Sequence, residues 1–537
     1  MLILAALLAA ATPAPILSAE RIKADDRALS SDAFAGRGPG EIGETKTIAY
    51  LAKAFAAAGL QPGGDHGDWY QDVPLVRLDR LPGATMALKM GGQTRPLALG
   101  REATLSLHNE GRSTLADAPL VFAGFGIVDP AKGFDAYAGT DMKGKIAVVL
   151  ANDPDFEAGR DLGFEGRRLV YAGRIGAKFE AAAKAGAAGV IVIHEDAAAS
   201  YPFLQVGSGD ALPAAVIAPL KPSTLLATGW LRNDISLDLL RRAGLDLAAL
   251  KQKSRDPGFR AFPIAGATLS LDGSLTAKPF TSHNVIAKLP GATRPDEYVV
   301  YGAHWDANGT NGPDATGDAI RNGAIDNGAG TSELLEVART FAHGPRPART
   351  IVFALWTAEE KGLLGSGYYA AHPLYPLART ALNINLDPHV LLPAARDIEL
   401  IGGGRTPVEG DLRRIAATQG LRVEDEPAVE AGWYFRSDQY SFAVKGVPAI
   451  TFRGGRDLVQ GGNAAGAPIV AAYNQLRYHQ PSDQFDPAWD FAGPAQEATV
   501  AYLLGREVAD SAAWPRWNAG GEFAAIREAT AAERAPK

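Results

Sequence analysis

Three short apolar runs constrain this chain most: Tyr298 to Ala303, Thr350 to Trp356 and Ala381 to Leu386. Each is bounded by turn or charged residues, as a strand covered on both faces should be. Strands of this kind build open, mostly parallel sheets, and groups placed just past their carboxyl ends converge in one crevice although they are distant in sequence. His304 and Asp306 follow the first run, Glu359 and Glu360 the second, and Asp387 the third. Asp326, in Ala324-Ile325-Asp326-Asn327-Gly328, and His479, in Tyr478-His479-Gln480-Pro481, complete the set.

Singly, each has an ordinary reading. A histidine after a strand commonly caps or packs, Asp326 suits the N-cap of a following helix, and Glu359-Glu360 suits a solvated turn. Order lifts the set above coincidence: His-x-Asp, Asp-Asn-Gly, Glu-Glu-Lys-Gly, Asn-Leu-Asp, then Tyr-His-x-Pro. Two imidazoles and three carboxylates suit two divalent, zinc-like ions sharing one carboxylate, with a further Glu left to move protons. That is the layout of a metal-dependent hydrolase.

With these motifs the chain resembles the co-catalytic zinc aminopeptidases of the bacterial leucyl-aminopeptidase type, from Ser282 to about Ala509. The resemblance implies a zinc-exopeptidase fold: an α/β three-layer sandwich with a mixed, mostly parallel sheet. It implies two zinc ions per chain, with Asp326 bridging, His304 and Asp387 on one ion, and Glu360 and His479 on the other. Glu359 is then the general base. A water shared by two cations has its pKa lowered towards ~7, and Glu359 would take its proton during attack on a carbonyl and pass it to the leaving amine. Asp306 is the expected partner of the distal His304 nitrogen. Tyr434, in Tyr434-Phe435-Arg436-Ser437-Asp438-Gln439, matches a tyrosine that stabilises the oxyanion in relatives. Gln439 stands where relatives usually have His. His389 reads as a loop histidine, and His283, His343 and His372 as structural or surface groups.

At 537 residues the chain is too long for one core. A 47% hydrophobic fraction with 21% charged residues describes a soluble globular protein. A net charge of -7 without a basic cluster gives no support for nucleic-acid binding, and the absence of cysteine excludes disulfides and thiolate metal sites. Residues 1–19 read as a signal peptide, with an apolar run from Leu2 to Ala11 and small residues at Ser18-Ala19, although no positive residue precedes the run. No other segment nears the ~18 apolar residues of a membrane span, so the expected location is exported, periplasmic or extracellular.

Residues 20–115 are assigned to the N-terminal part of the peptidase domain. They include a Gly36-Arg37-Gly38 loop and a helix over Gly43 to Ala58. Residues 116–275 form an insertion in which turn-strand and helix-Gly-strand patterns (Asp141 to Leu150, Phe179 to Ile193) resemble a β-rich protease-associated domain. Thr276 to Ser282 reads as the return linker, 276–515 as the catalytic zinc peptidase domain, and 516–537 as a tail. The favoured activity is release of the N-terminal residue from a peptide substrate. A carboxypeptidase or dipeptidase of the same layout would need cationic anchors, for which Arg436 and Arg453 are available, and a non-catalytic peptide-binding relative would be expected to have lost ligands that are all present here.

Overall fold

The computed structural model describes residues 17–210 and 212–534. All three apolar runs are strands: Arg294–His304, Arg349–Trp356 and Thr380–Asn385. Together with Ala449–Gly454 they run parallel, in the order 349–356, 294–304, 380–385, 449–454. The end of a long strand, Phe262–Leu289, borders Arg349–Trp356 antiparallel, and Asp397–Ile401 borders Ala449–Gly454 antiparallel at the other side. The sheet is mixed and mostly parallel.

Strand alternation decides which side chain meets which layer. Val299, Tyr301, Ile351, Phe353 and Leu355 face one core, packed with the helices Gly330–His343 and Ala492–Asp510. Val300, Val352, Ala354 and Trp356 face the other, with Tyr369 and Phe442 from the helices Leu364–Ala371 and Gln439–Ala443. These residues are almost wholly out of water, and each large apolar side chain so buried contributes about 1.5–3 kcal/mol. With both faces covered, only the strand ends are open to solvent.

The insertion has its own core. Strands Ile146–Leu150, Gly189–His194 and Ala227–Arg232 run parallel in it. Its apolar cluster reaches back to Val76, Met86 and Leu88 and forward to Leu275, so residues well ahead of 116 take part. Thr276 to Ser282 is no linker: it lies within the 28-residue strand Phe262–Leu289. That strand pairs with Gly111–Phe122 and Thr85–Met90 in the insertion, with Tyr70–Arg80 along 275–285, and with Arg349–Trp356 in the catalytic sheet. Along Thr276 to Ser282 its ladder with Tyr70–Arg80 is unbroken, so the strand continues where a linker was expected.

At the N-terminus, the leader assignment falls mostly on residues outside the described ones. Leu17, however, is buried, and Ser18 caps the helix Ala19–Leu29 by accepting the Arg21 N–H at 3.2 Å. Arg37, in the Gly-Arg-Gly loop, is buried and donates to the carbonyls of Leu29, Trp305, Asn322 and Gly323. The loop thereby clamps the backbone on either side of the strand-end crevice. The tail packs on the body, with Trp517 donating its indole N–H to the Gly446 carbonyl at 2.9 Å. No helix among the described residues is long and apolar enough to cross a membrane.

Candidate metal centre

His304 ends its strand, Glu359 and Glu360 lie three and four residues past Trp356, and Asp387 lies two past Asn385. Asp326 sits in the irregular segment Ala324–Ala329 that leads into the helix Gly330–His343. That helix starts hard against the strand-end backbone: a Cβ on Gly330 would lie 2.3 Å from the Leu386 carbonyl oxygen. Asn327 fixes the approach, donating to that same carbonyl at 3.0 Å and accepting the Gly330 N–H at 2.9 Å. Thr331 donates to the His304 carbonyl at 2.8 Å.

The structure brings the five expected ligands into two sets that share Asp326: His304, Asp326 and Asp387, and Asp326, Glu360 and His479. Asp326 turns one oxygen to each imidazole, Oδ1 at 3.2 Å from His304 Nε2 and Oδ2 at 3.3 Å from His479 Nε2. Asp387 Oδ1 is 3.8 Å from His304 Nε2, and Glu360 Oε2 is 3.0 Å from His479 Nε2. Glu359 belongs to neither set, with Oε2 4.0 Å from His304 Nε2.

The donors fit zinc. His304 Nε2 is buried without a hydrogen bond while carboxylate oxygens point at it, as around a cation. Nδ1 of the same ring lies 3.1 Å from the Asp306 carbonyl oxygen, so a proton there leaves the Nε2 lone pair free. Imidazole and carboxylate are ordinary zinc donors. Electrostatics agree. Burial opposes charge on His304, yet Glu359, Asp306, Asp326 and Asp387 together raise it well above the imidazole range. Burial alone would raise Asp326, but His304 and His479 outweigh it and hold the carboxyl below its usual range. Burial, reinforced by Asp438, Asp387 and Glu360, pushes Glu359 well up against the pull of His304. Positive charge is drawn to this point, and a divalent cation meets the same field.

Two expected roles change. The Asp306 carboxylate is 3.7 Å from His304 Nδ1, beyond hydrogen-bond range, and the ring meets the Asp306 backbone carbonyl instead. Asp306 Oδ1 accepts the Glu359 N–H at 3.0 Å, so this buried carboxylate fixes the backbone of the expected base. Tyr434 does not reach the centre. Its ring is buried below the sheet end and its hydroxyl donates to the Ala449 carbonyl at 3.1 Å. The ring lies under the Arg405 guanidinium. The motif match placed the residue but not its rotamer.

Asp483 and Tyr478, which sequence reasoning passed over, stand at the site, as does His389, which it read as a loop histidine. Asp483 accepts the N–H groups of Ile325 and Asp326, both at 3.1 Å, tying the His479 segment to the bridging residue. Its spacing, four residues after His479, was the available signal. His389 lines the cavity of about 210 Å³ that contains Asp326, Glu359, Glu360, Asp387 and His479. It is buried against Trp433, its Nε2 donates to Asn474 Oδ1 at 2.8 Å, and burial lowers it to about 3. Tyr478, stacked on His479 with ring centres 3.8 Å apart, also lines this cavity. Gln439, where relatives usually carry His, is scaffold: its amide joins Asn385 Nδ2 at 2.9 Å to the Tyr434 carbonyl at 2.7 Å.

Comparison with known proteins agrees with this geometry. Residues 284–503 match the model of peptidase family M28, and residues 116–221 that of the PA domain. A probable zinc metalloprotease of Pyrenophora teres f. teres is 40% identical over 236 residues, 44% of this chain and 45% of that protein. Aminopeptidase NAALADL1 of Mus musculus is 36% identical over 184 residues, 32% of this chain and 22% of that protein. The matched stretches thus span about half or less of these curated relatives. The solved aminopeptidase from Aneurinibacillus sp. strain AM-1 shares the fold, at a TM-score of 0.53 and 22% identity over 92% of this chain and 94% of that one. Two histidine–carboxylate sets at the strand ends thus lie within a region, 284–503, that matches peptidase family M28, and the insertion ahead of it carries a PA-domain match over 116–221.

Proposed function

We propose that this zinc peptidase holds two ions and acts as an aminopeptidase, releasing the N-terminal residue of peptides. The observation that carries the reading is Asp326, whose two oxygens face two imidazoles at 3.2 and 3.3 Å, one for each ligand set. His304 and Asp387 would hold one ion, Glu360 and His479 the other. Bound there, zinc supplies Lewis acidity for the carbonyl and lowers the pKa of water. Glu359, outside both sets and fixed through its N–H by Asp306, accepts the proton of the attacking water. As the C–N bond breaks, the same carboxyl returns that proton to the departing nitrogen. Tyr478, which lines the cavity, is assigned the donor role towards a carbonyl oxygen gaining charge. The relatives' names include both an aminopeptidase and glutamate carboxypeptidase 2 homologues, so the choice of the amino end rests on the test below.

The test is hydrolysis of matched peptides with free or acetylated amino ends, with metal measured on the same sample. Release of the first residue from free-amine peptides alone, at about two zinc ions per chain, is expected. Sequential release from the carboxyl end of acetylated peptides would make it a carboxypeptidase instead.

The proposal extends to export. Because Leu17 is buried and Ser18 caps a helix, processing is expected to leave both in the mature chain. Amino-terminal sequencing of periplasmic or culture-medium protein should begin at or before Leu17. Protein confined to the cytoplasm with residues 1–16 retained would end this part of the reading.

A further inference from the structure

A second cavity, of about 370 Å³, adjoins the metal-site cavity and shares Arg436, Tyr478 and His479 with it. One wall comes from the insertion, including Arg174, Tyr201 and Trp230, and the other from the 429–436 segment. Its charges are unbalanced. Arg436 donates to the Ala199 carbonyl at 3.1 Å and lies over the rings of Tyr201 and Trp433, and Arg174 donates to the Tyr440 hydroxyl and lies over that ring at 4.0 Å. Neither guanidinium has a carboxylate within 4.0 Å among the described residues. The single carboxylate in the wall, Glu430, is engaged by Arg167 at 2.9 Å. Arg453, the other candidate anchor, is already paired with Glu399 at 3.0 Å. Two cations held by neutral partners in an aromatic-walled cleft favour an anionic occupant.

We infer that Arg436 and Arg174 form a carboxylate-binding subsite on the leaving-group side of the scissile bond, built jointly by the insertion and the catalytic domain. The inference rests on the exopeptidase reading for the position of that bond. Glu359 and the ligand carboxylates line the smaller cavity and the guanidinium groups the larger, so a short zwitterionic peptide enters amine first and its carboxylate meets the arginines. The preferred substrates are di- and tripeptides with a free C-terminus, or peptides with an acidic residue just after the cleaved bond. Both present the same carboxylate chemistry.

The probe is binding to zinc-loaded Glu359→Gln protein, in which turnover is suppressed, measured by calorimetry. Leu-Gly-Phe is compared with its C-terminal amide, and Leu-Glu-amide with Leu-Gln-amide. A charge-assisted contact should favour the free acid in at least one pair by about 10–100-fold. That ratio should fall towards unity when Arg436→Gln or Arg174→Gln is added, and recover in part with Arg436→Lys. The first pair responding identifies the terminal carboxylate, the second an acidic side chain. Because the ratio is taken within one protein, a partly unfolded variant lowers both arms alike. Equal binding of acid and amide in both pairs, or a ratio untouched by both arginine variants, overturns the subsite. A ratio that persists in a protein whose unmutated form hydrolyses none of these peptides overturns the exopeptidase reading and leaves the subsite standing.

Discussion

Glu359→Gln lowers kcat by roughly 10²–10⁴-fold or more, the usual contribution of general acid–base catalysis, while metal content and substrate affinity stay near their starting values. The amide keeps the shape of the side chain and its backbone remains tied to Asp306, so only proton transfer is lost. Its neighbour behaves differently. Glu360 Oε2 lies 3.0 Å from His479 Nε2 within a ligand set, so Glu360→Gln loses one ion and added zinc restores part of the rate. Metal analysis and single-turnover kinetics on the two variants decide the matter. Loss of metal from Glu359→Gln with both ions kept in Glu360→Gln would exchange the two roles, and full activity in both would remove the mechanism.

Asp326→Asn is expected to weaken both halves of the centre. An amide offers one acceptor oxygen where the carboxylate offered two, and turns an N–H₂ group towards one imidazole. Replacing groups that merely orient metal ligands costs about 10–100-fold in affinity, and removing the shared ligand costs more. Zinc content should drop from about two per chain to one or fewer, with activity falling at least in proportion, and a chelator should do the same to the unmodified protein. Retention of two ions and full turnover by Asp326→Asn would refute a shared bridge. A fully active metal-free preparation would refute the hydrolytic reading altogether.

The centre was legible in sequence because parallel-sheet topology turns sequence position into spatial position. Once Tyr298 to Ala303, Thr350 to Trp356 and Ala381 to Leu386 are strands, the residues just beyond them have one place to go. Side-chain direction is not fixed so simply. Tyr434 and Trp433 are adjacent in one short turn, yet Trp433 borders the cavity while Tyr434 turns into the core beneath Arg405. Asp306 was assigned to a histidine and instead holds a glutamate backbone, a choice between two hydrogen-bond partners that no spacing encodes. The insertion's true extent was hidden for another reason. Val76, Met86 and Leu88 precede the motifs that mark it, and pairing with the long strand and with Ala214–Ile217 brings them to its core.

That strand, Phe262–Leu289, leaves no joint where a linker was expected. A module on a flexible tether can be exchanged by cutting the tether, but here a cut near residue 276 severs a ladder that pairs with Tyr70–Arg80 on one side and begins the catalytic sheet on the other. As an engineering cassette, the insertion is therefore not 116–275. A transplant that keeps the long strand and Tyr70–Arg80 in the host, and exchanges only segments between them, preserves the spacing of the cleft walls. Selectivity at the cleft is then alterable by grafting loops such as those carrying Arg174 and Tyr201, without moving the beam on which both halves are mounted.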